Sequence, residues 1–150
     1  RISTVYNFVL SIFSIFLAAW SGYAGLGILP DWTYYLGVVS LVLGIAVYLW
    51  VQETLGRFFS LGVVIYQGQM LIQTGPFRFV RHPGYAGVFM IFLGIALMAQ
   101  SWVAVLLIFV ATSLVLGYRV AIEEKMLISE FGEQYLSYSR RVKRFIPFII

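Results

Sequence analysis

Uncharged apolar runs of membrane-spanning length, separated by short polar stretches, most limit what this chain can fold into. A bilayer core offers a backbone no water to hydrogen-bond, so a crossing segment must satisfy its own amides, and about 20 apolar residues in one run do so as a helix. Residues 5–28 and 34–51 are such runs. The whole chain agrees: 61% of its residues are hydrophobic, 11% are charged and the mean hydropathy is +0.93, against roughly one quarter charged in soluble domains. The reading is an integral membrane protein. At 150 residues it has room for only a few spans.

The rest of the composition narrows the chemistry. There is no cysteine, hence no disulfide, thiolate nucleophile or cysteine metal site, and one histidine with six carboxylates makes a poor donor set for a protein-built metal centre. The net charge of +4 sits beside apolar segments, where it records membrane orientation or anionic lipid rather than nucleic acid. Because the chain opens on Arg1 and not on Met, a targeting segment ahead of it stays open.

Along the first run, Ala18, Ser21, Gly22 and Gly25 are small residues at or near four-residue spacing, which suits close helix packing. Leu29-Pro30-Asp31 breaks the run, and Trp32, Tyr34 and Tyr35 form an aromatic belt where the second span begins. From Glu53 to Pro83 the pattern dissolves: charges appear, glycines fall at 56, 62, 68 and 75, and the short apolar runs 63–66 and 70–72 flank Gln67-Gly68 as a hairpin or an interfacial loop. Residues 85–99 and 102–118, joined at Gln100-Ser101, are each short for a crossing and read as a tight helical hairpin. An amphipathic helix is expected over 126–138, followed by the basic run Arg140, Arg141, Lys143 and Arg144.

Two polar clusters interrupt this pattern. The stretch Gly75-Pro-Phe-Arg-Phe-Val-Arg-His-Pro-Gly-Tyr-Ala-Gly87 holds the chain's one histidine, and Arg119-x-x-x-Glu123-Glu124 follows the hairpin. Arg119 and Glu123 share a helix face. An intrahelical ion pair at the membrane boundary would account for them equally well, but ionisable residues beside apolar spans are functional candidates by default. Pro83 keeps His82 out of helical geometry and suits the first turn of the hairpin helix, which puts His82 at a helix end that favours an anionic group. Lys and Arg gather after the second span and after the hairpin, whereas the Pro30 and Gln100 turns carry none, so both clusters are expected on the cytoplasmic side.

The ordered residues Leu71-Ile72-x-Thr74-Gly75-Pro76-Phe77-Arg78-x-Val80-Arg81-His82-Pro83-x-Tyr85-x-Gly87, then a hairpin, then Arg119-x-x-x-Glu123-Glu124-x-x-Leu127-x-x-x-Phe131-Gly132-x-x-Tyr135-x-x-Tyr138, resemble the isoprenylcysteine carboxyl methyltransferase and phospholipid methyltransferase family. The resemblance implies an S-adenosylmethionine-dependent methyltransferase, releasing S-adenosylhomocysteine, in an all-α integral membrane fold. About four transmembrane helices, including the C-terminal hairpin, would be followed by a cytoplasmic amphipathic helix. Residues 1–52 would form two N-terminal transmembrane helices and residues 53–150 the cofactor-binding catalytic region.

By position, the resemblance places Gln69, Met70, Leu71, Ile72 and Phe77 against the adenosyl part, and His82 and Tyr85 at the methionyl end. Glu123 would meet the cofactor's amino end and Arg119 the methyl acceptor. Glu123 and Glu124 are the candidate bases should the acceptor be an amine. Phe77 stands where the family often has Tyr, which removes a hydroxyl but keeps the ring. Arg78, Arg81 and the terminal basic run are expected to meet lipid headgroups, with Arg81 the one that enters the site. The acceptor would be lipophilic or lipidated, a prenylcysteine-type carboxylate before a lipid amine, in a prokaryotic cytoplasmic membrane. A sterol-reductase-like NADPH enzyme and a non-catalytic membrane scaffold are the competing readings.

Overall fold

The computed structural model describes residues 12–13, 15–17, 19–60, 68 and 70–145. Ala18, Gln69 and the apolar run 63–66 lie outside the described residues, as does most of the first expected span. The described part of that span is helical up to residue 23. Four helices follow: α1 (Trp32–Leu55), α2 (Pro83–Met98), α3 (Trp102–Phe131) and α4 (Glu133–Arg141), with 3₁₀ turns at Gly56–Phe58 and Gly75–Arg78. Among the described residues there is no strand, only two isolated bridges.

Helices α1 and α3 are long and apolar enough to cross a membrane. Helix α2, at 16 residues, is about 24 Å long at 1.5 Å per residue, short of a full hydrocarbon layer. Large apolar side chains stay exposed on the two long helices, including Leu36, Val39 and Leu49 on α1 and Leu106, Phe109 and Leu114 on α3. A surface of that kind suits lipid rather than water.

Two sequence expectations are corrected. The second arm of the hairpin does not end at Tyr118: α3 runs for 30 residues, through Arg119, Glu123 and Glu124, because residues 118–131 contain no Gly or Pro and are rich in strong helix formers. Nor do residues 126–138 form one amphipathic helix. The helix stops at Gly132, whose φ of +50° is open to glycine at little cost, and a separate nine-residue α4 begins at Glu133.

Helix α2 lies between α1 and α3 and packs on both. Against α1 the approach is set by glycine: a Cβ on Gly94 would sit 2.7 Å from the Gly37 carbonyl oxygen, and one on Gly44 2.7 Å from that of Gly87. The Ser40 hydroxyl donates to the Met90 carbonyl at 2.9 Å midway along this seam. Both neighbours are backbone and cannot rotate aside. Gly94→Ala is therefore expected to destabilise the protein by about 2 kcal/mol, in the range for overpacking, whereas Gly117→Ala, with open space around it, should be neutral or mildly stabilising. Thermal unfolding in detergent reads both.

Against α3 the inner residues are Ala96, Ala104 and Ile108, with Phe92 and Val105 packed around them. The buried positions of α3 are Ala104, Ile108, Thr112, Leu116, Val120 and Glu124, one every four residues. Such a row winds slowly round the helix, so its start meets α2 and its end meets other elements. At the end of the bundle opposite the polar clusters, Leu29 N–H donates to the Gln100 carbonyl at 2.8 Å and Trp102 N–H to that of Gly27 at 2.9 Å. The Ser21 and Ser101 hydroxyls meet at 3.2 Å. The interhelical turns are thereby fastened to one another.

Candidate functional site

The site begins at a backbone irregularity. Gly75 adopts φ +58° with Thr54 of α1 so close that a Cβ would meet its hydroxyl at 2.7 Å. The Gly75–Arg78 turn that follows is held by the Tyr138 hydroxyl of α4, which donates to the Phe77 carbonyl at 2.5 Å. The chain then runs extended through Val80 to His82 and pairs with the C-terminal segment: Arg81 N–H donates to the Lys143 carbonyl at 2.7 Å and His82 N–H to that of Arg144 at 3.0 Å. Pro83 has no N–H to continue this pairing, and its fixed φ opens α2 instead.

His82 caps the N-terminal end of α2 through its carbonyl, which accepts from Ala86 N–H at 3.1 Å, while its side chain bonds none of the helix amides. Its ring, in a residue only 4% exposed, turns to α3 and lies between two carboxylates, with Nε2 3.3 Å from Glu124 Oε1 and Nδ1 3.8 Å from Glu123 Oε2. The Tyr85 ring, one helical turn on, stacks beside it with centroids 5.8 Å apart. Arg119 Nε–H reaches the Tyr85 hydroxyl at 3.4 Å, with its guanidinium over that ring, and Glu123 faces the same hydroxyl. His82, Tyr85, Arg119, Glu123 and Glu124 thus form one cluster, and the two polar stretches of the sequence close on each other at one end of the bundle.

The glutamates differ sharply. Glu124, 7% exposed, accepts from Arg81 Nη1 at 3.0 Å, from Arg144 Nη2 at 2.6 Å and from Arg144 Nε at 3.1 Å, besides His82. Its two oxygens are fully subscribed. Glu123 keeps a third of its side chain exposed. Arg81 Nε and the Tyr135 hydroxyl are buried and make no hydrogen bond among the described residues. Burial, and then the Glu124 charge, push the Tyr135 hydroxyl up to about 12, while the Glu124 carboxylate raises the Arg144 guanidinium above its ordinary value.

Other expected residues fall outside the cluster. Met70 is largely exposed, Leu71 and Ile72 are half-buried, and none of the three shares a hydrogen bond or ion pair with the cluster among the described residues. Phe77 is tied in through its carbonyl alone. Of the basic residues expected at headgroups, Arg78 lies on the exposed Phe79 ring at 4.4 Å, and Arg140 and Arg141 bond Glu133 and Gln73 at the surface. Arg81 and Arg144 are instead committed to Glu124. The Arg144 contact is the residue role missed in the sequence, since nothing in a terminal basic run says which member folds back. The burial of Glu124 did have a signal: it continues the four-residue row that starts at Ala104.

Fold and site together define a class: a helical membrane protein that folds irregular polar backbone against one end of a long apolar helix. The chain belongs to the phospholipid methyltransferase family, whose model matches residues 32–134. It is 34% identical over 80 residues to the protein-S-isoprenylcysteine O-methyltransferase of Schizosaccharomyces pombe, covering 53% of this chain and 34% of that one. With the probable protein-S-isoprenylcysteine O-methyltransferase of Oryza sativa subsp. indica it shares 33% identity over 121 residues, 77% of this chain and 61% of the relative. A solved eukaryotic intramembrane Ras methyltransferase, isoprenylcysteine carboxyl methyltransferase, superposes with a TM-score of 0.75 at 26% identity, covering 99% of this chain and 52% of that one. The chain thus spans about half the length of the proteins it matches.

Proposed function

We infer that this chain carries the cofactor-binding and catalytic region of an S-adenosylmethionine-dependent membrane methyltransferase that methylates the polar head of a lipophilic acceptor. The observation that carries the reading is the convergence of His82, Tyr85, Arg119 and Glu123 at the junction of α2 and α3, in a member of this family. The donor set fits that cofactor. A partly exposed carboxylate suits its amino group, and Arg81 Nε and the Tyr135 hydroxyl are buried polar atoms still outside hydrogen-bond geometry. When bound, S-adenosylmethionine supplies an activated sulfonium methyl group, which needs neither metal nor covalent nucleophile.

The residues then divide the work. Glu123 binds the cofactor's amino end, His82 and Tyr85 position its methionyl part, and Gln69 to Ile72 with Phe77 border the adenosyl part. Arg119 orients the acceptor, since its planar fork suits a carboxylate, and holding the acceptor in line is the main catalytic demand. A prenylcysteine-type carboxylate is the favoured acceptor because it is nucleophilic as it stands. An amine would need a base, and Glu123 is the candidate, because Glu124 already spends its oxygens on Arg81, His82 and Arg144. The favoured arrangement has four passes with the site on the cytoplasmic side, in line with Arg78, Arg81, Arg140, Arg141 and Lys143 at that end and no Lys or Arg at the Pro30 and Gln100 turns.

S-adenosylhomocysteine at a hundred times its Kd should stabilise the detergent-purified protein by about 2.7 kcal/mol, while NADPH leaves its thermal midpoint unchanged. A response to NADPH alone would return the reductase reading. Labelled methyl transfer to a prenylcysteine analogue, compared with total membrane lipids, identifies the acceptor class.

A further inference from the structure

The C-terminal segment is more than a tether. Backbone pairing of Lys143 and Arg144 with Arg81 and His82 is independent of side chains, and it delivers the Arg144 guanidinium onto both oxygens of Glu124. Glu124 is the carboxylate that meets His82 Nε2. Held between two guanidinium groups, it accepts, so the ring carries a hydrogen on Nε2 and turns Nδ1 to the side of Glu123. We propose that Arg144 is a positioning residue: by clamping Glu124 from the C-terminal strap, it fixes the tautomer and orientation of His82, so that Nδ1 faces the methionyl side of the cofactor site.

Other groups around the ring do not substitute for this clamp. Arg81 reaches Glu124 Oε1 with Nη1, the oxygen that also meets His82, so alone it leaves Oε2 unheld and the carboxylate free to rotate. Tyr85 and Phe145 contact the ring through their faces. Arginine is specifically suited because its fork engages both oxygens at once, as an ammonium group does not. Half of the Arg144 side chain is exposed, so its replacement removes the clamp without opening a core cavity.

The chain's single histidine makes this directly measurable. In ¹⁵N-histidine-labelled protein in nanodiscs, the wild type should show one imidazole species with the hydrogen on Nε2. Arg144→Gln should show a mixture with the Nδ1–H form and about tenfold weaker S-adenosylhomocysteine binding. Arg144→Lys should fall between them, and Arg140→Gln, whose partner Glu133 is at the surface, should match the wild type in both readouts. An Arg144→Gln spectrum identical to wild type overturns the proposal whatever happens to affinity. So does a changed spectrum with affinity kept within twofold, because the orientation would then serve no binding. The affinity arm rests on the methyltransferase reading. Should the wild type bind no S-adenosylhomocysteine, that reading fails and the spectra alone decide the role of Arg144.

Discussion

Replacing Glu124 by Gln is expected to destabilise the apo protein by about 3 kcal/mol, the lower part of the range for removing one partner from a buried charge network. The carboxamide keeps the volume but loses the charge that Arg81 and Arg144 share, and it offers one acceptor oxygen where several donors converge. Arg144 can turn to solvent; Arg81, almost buried, cannot. The double replacement Arg81→Met with Glu124→Met should therefore cost less than Glu124→Gln alone, since it removes both sides of the pair. Denaturant unfolding in mixed micelles measures each. Equal losses in the two variants would show that shape rather than charge compensation matters at Glu124.

Arg119→Ala should lower kcat/KM for methyl transfer by about 100- to 1000-fold, the usual effect of removing one positioned donor at a reacting centre, while S-adenosylhomocysteine affinity stays within about twofold. The split follows from the geometry. Arg119 lies on the Tyr85 side of the cluster, over its ring and at its hydroxyl, whereas the His82 ring is held by Glu124 and flanked by Glu123. Arg119→Lys keeps the charge but not the fork, so it should recover little if the acceptor is a carboxylate. A parallel loss of cofactor affinity would place Arg119 at the cofactor instead. Steady-state kinetics with calorimetry separates the two outcomes.

Much of this was legible along the chain because the signals are local. The length and apolarity of α1 are contained in its own sequence, as is the start of α2 at Pro83, where one residue type both lacks an amide and fixes a dihedral. The full extent of α3 is less legible for a related reason. Polar residues 119–125 end the apolar run but not the helix, and the backbone continues until Gly132 permits a left-handed turn. The small residues of α1 and α2 show the opposite case: Gly37, Gly44, Gly87 and Gly94 are visible in sequence, but their pairing across the seam depends on the crossing geometry.

By itself, the sequence determined that the protein is helical and built for a membrane, and it singled out His82, Tyr85, Arg119 and Glu123 as candidate site residues, because apolar run length and rare polar interruptions need no partner to be read. The tertiary structure decided how the two adjacent glutamates divide. Side chains one position apart on a helix point about 100° apart, so the same α3 turn leaves Glu123 partly open beside Tyr85 and buries Glu124 under Arg81, His82 and an arginine 20 residues away on the returning strap. Charge alone makes Glu123 and Glu124 alike; burial and the donors that arrive from elsewhere in the fold make one a candidate ligand for the cofactor and the other the anchor that holds the site.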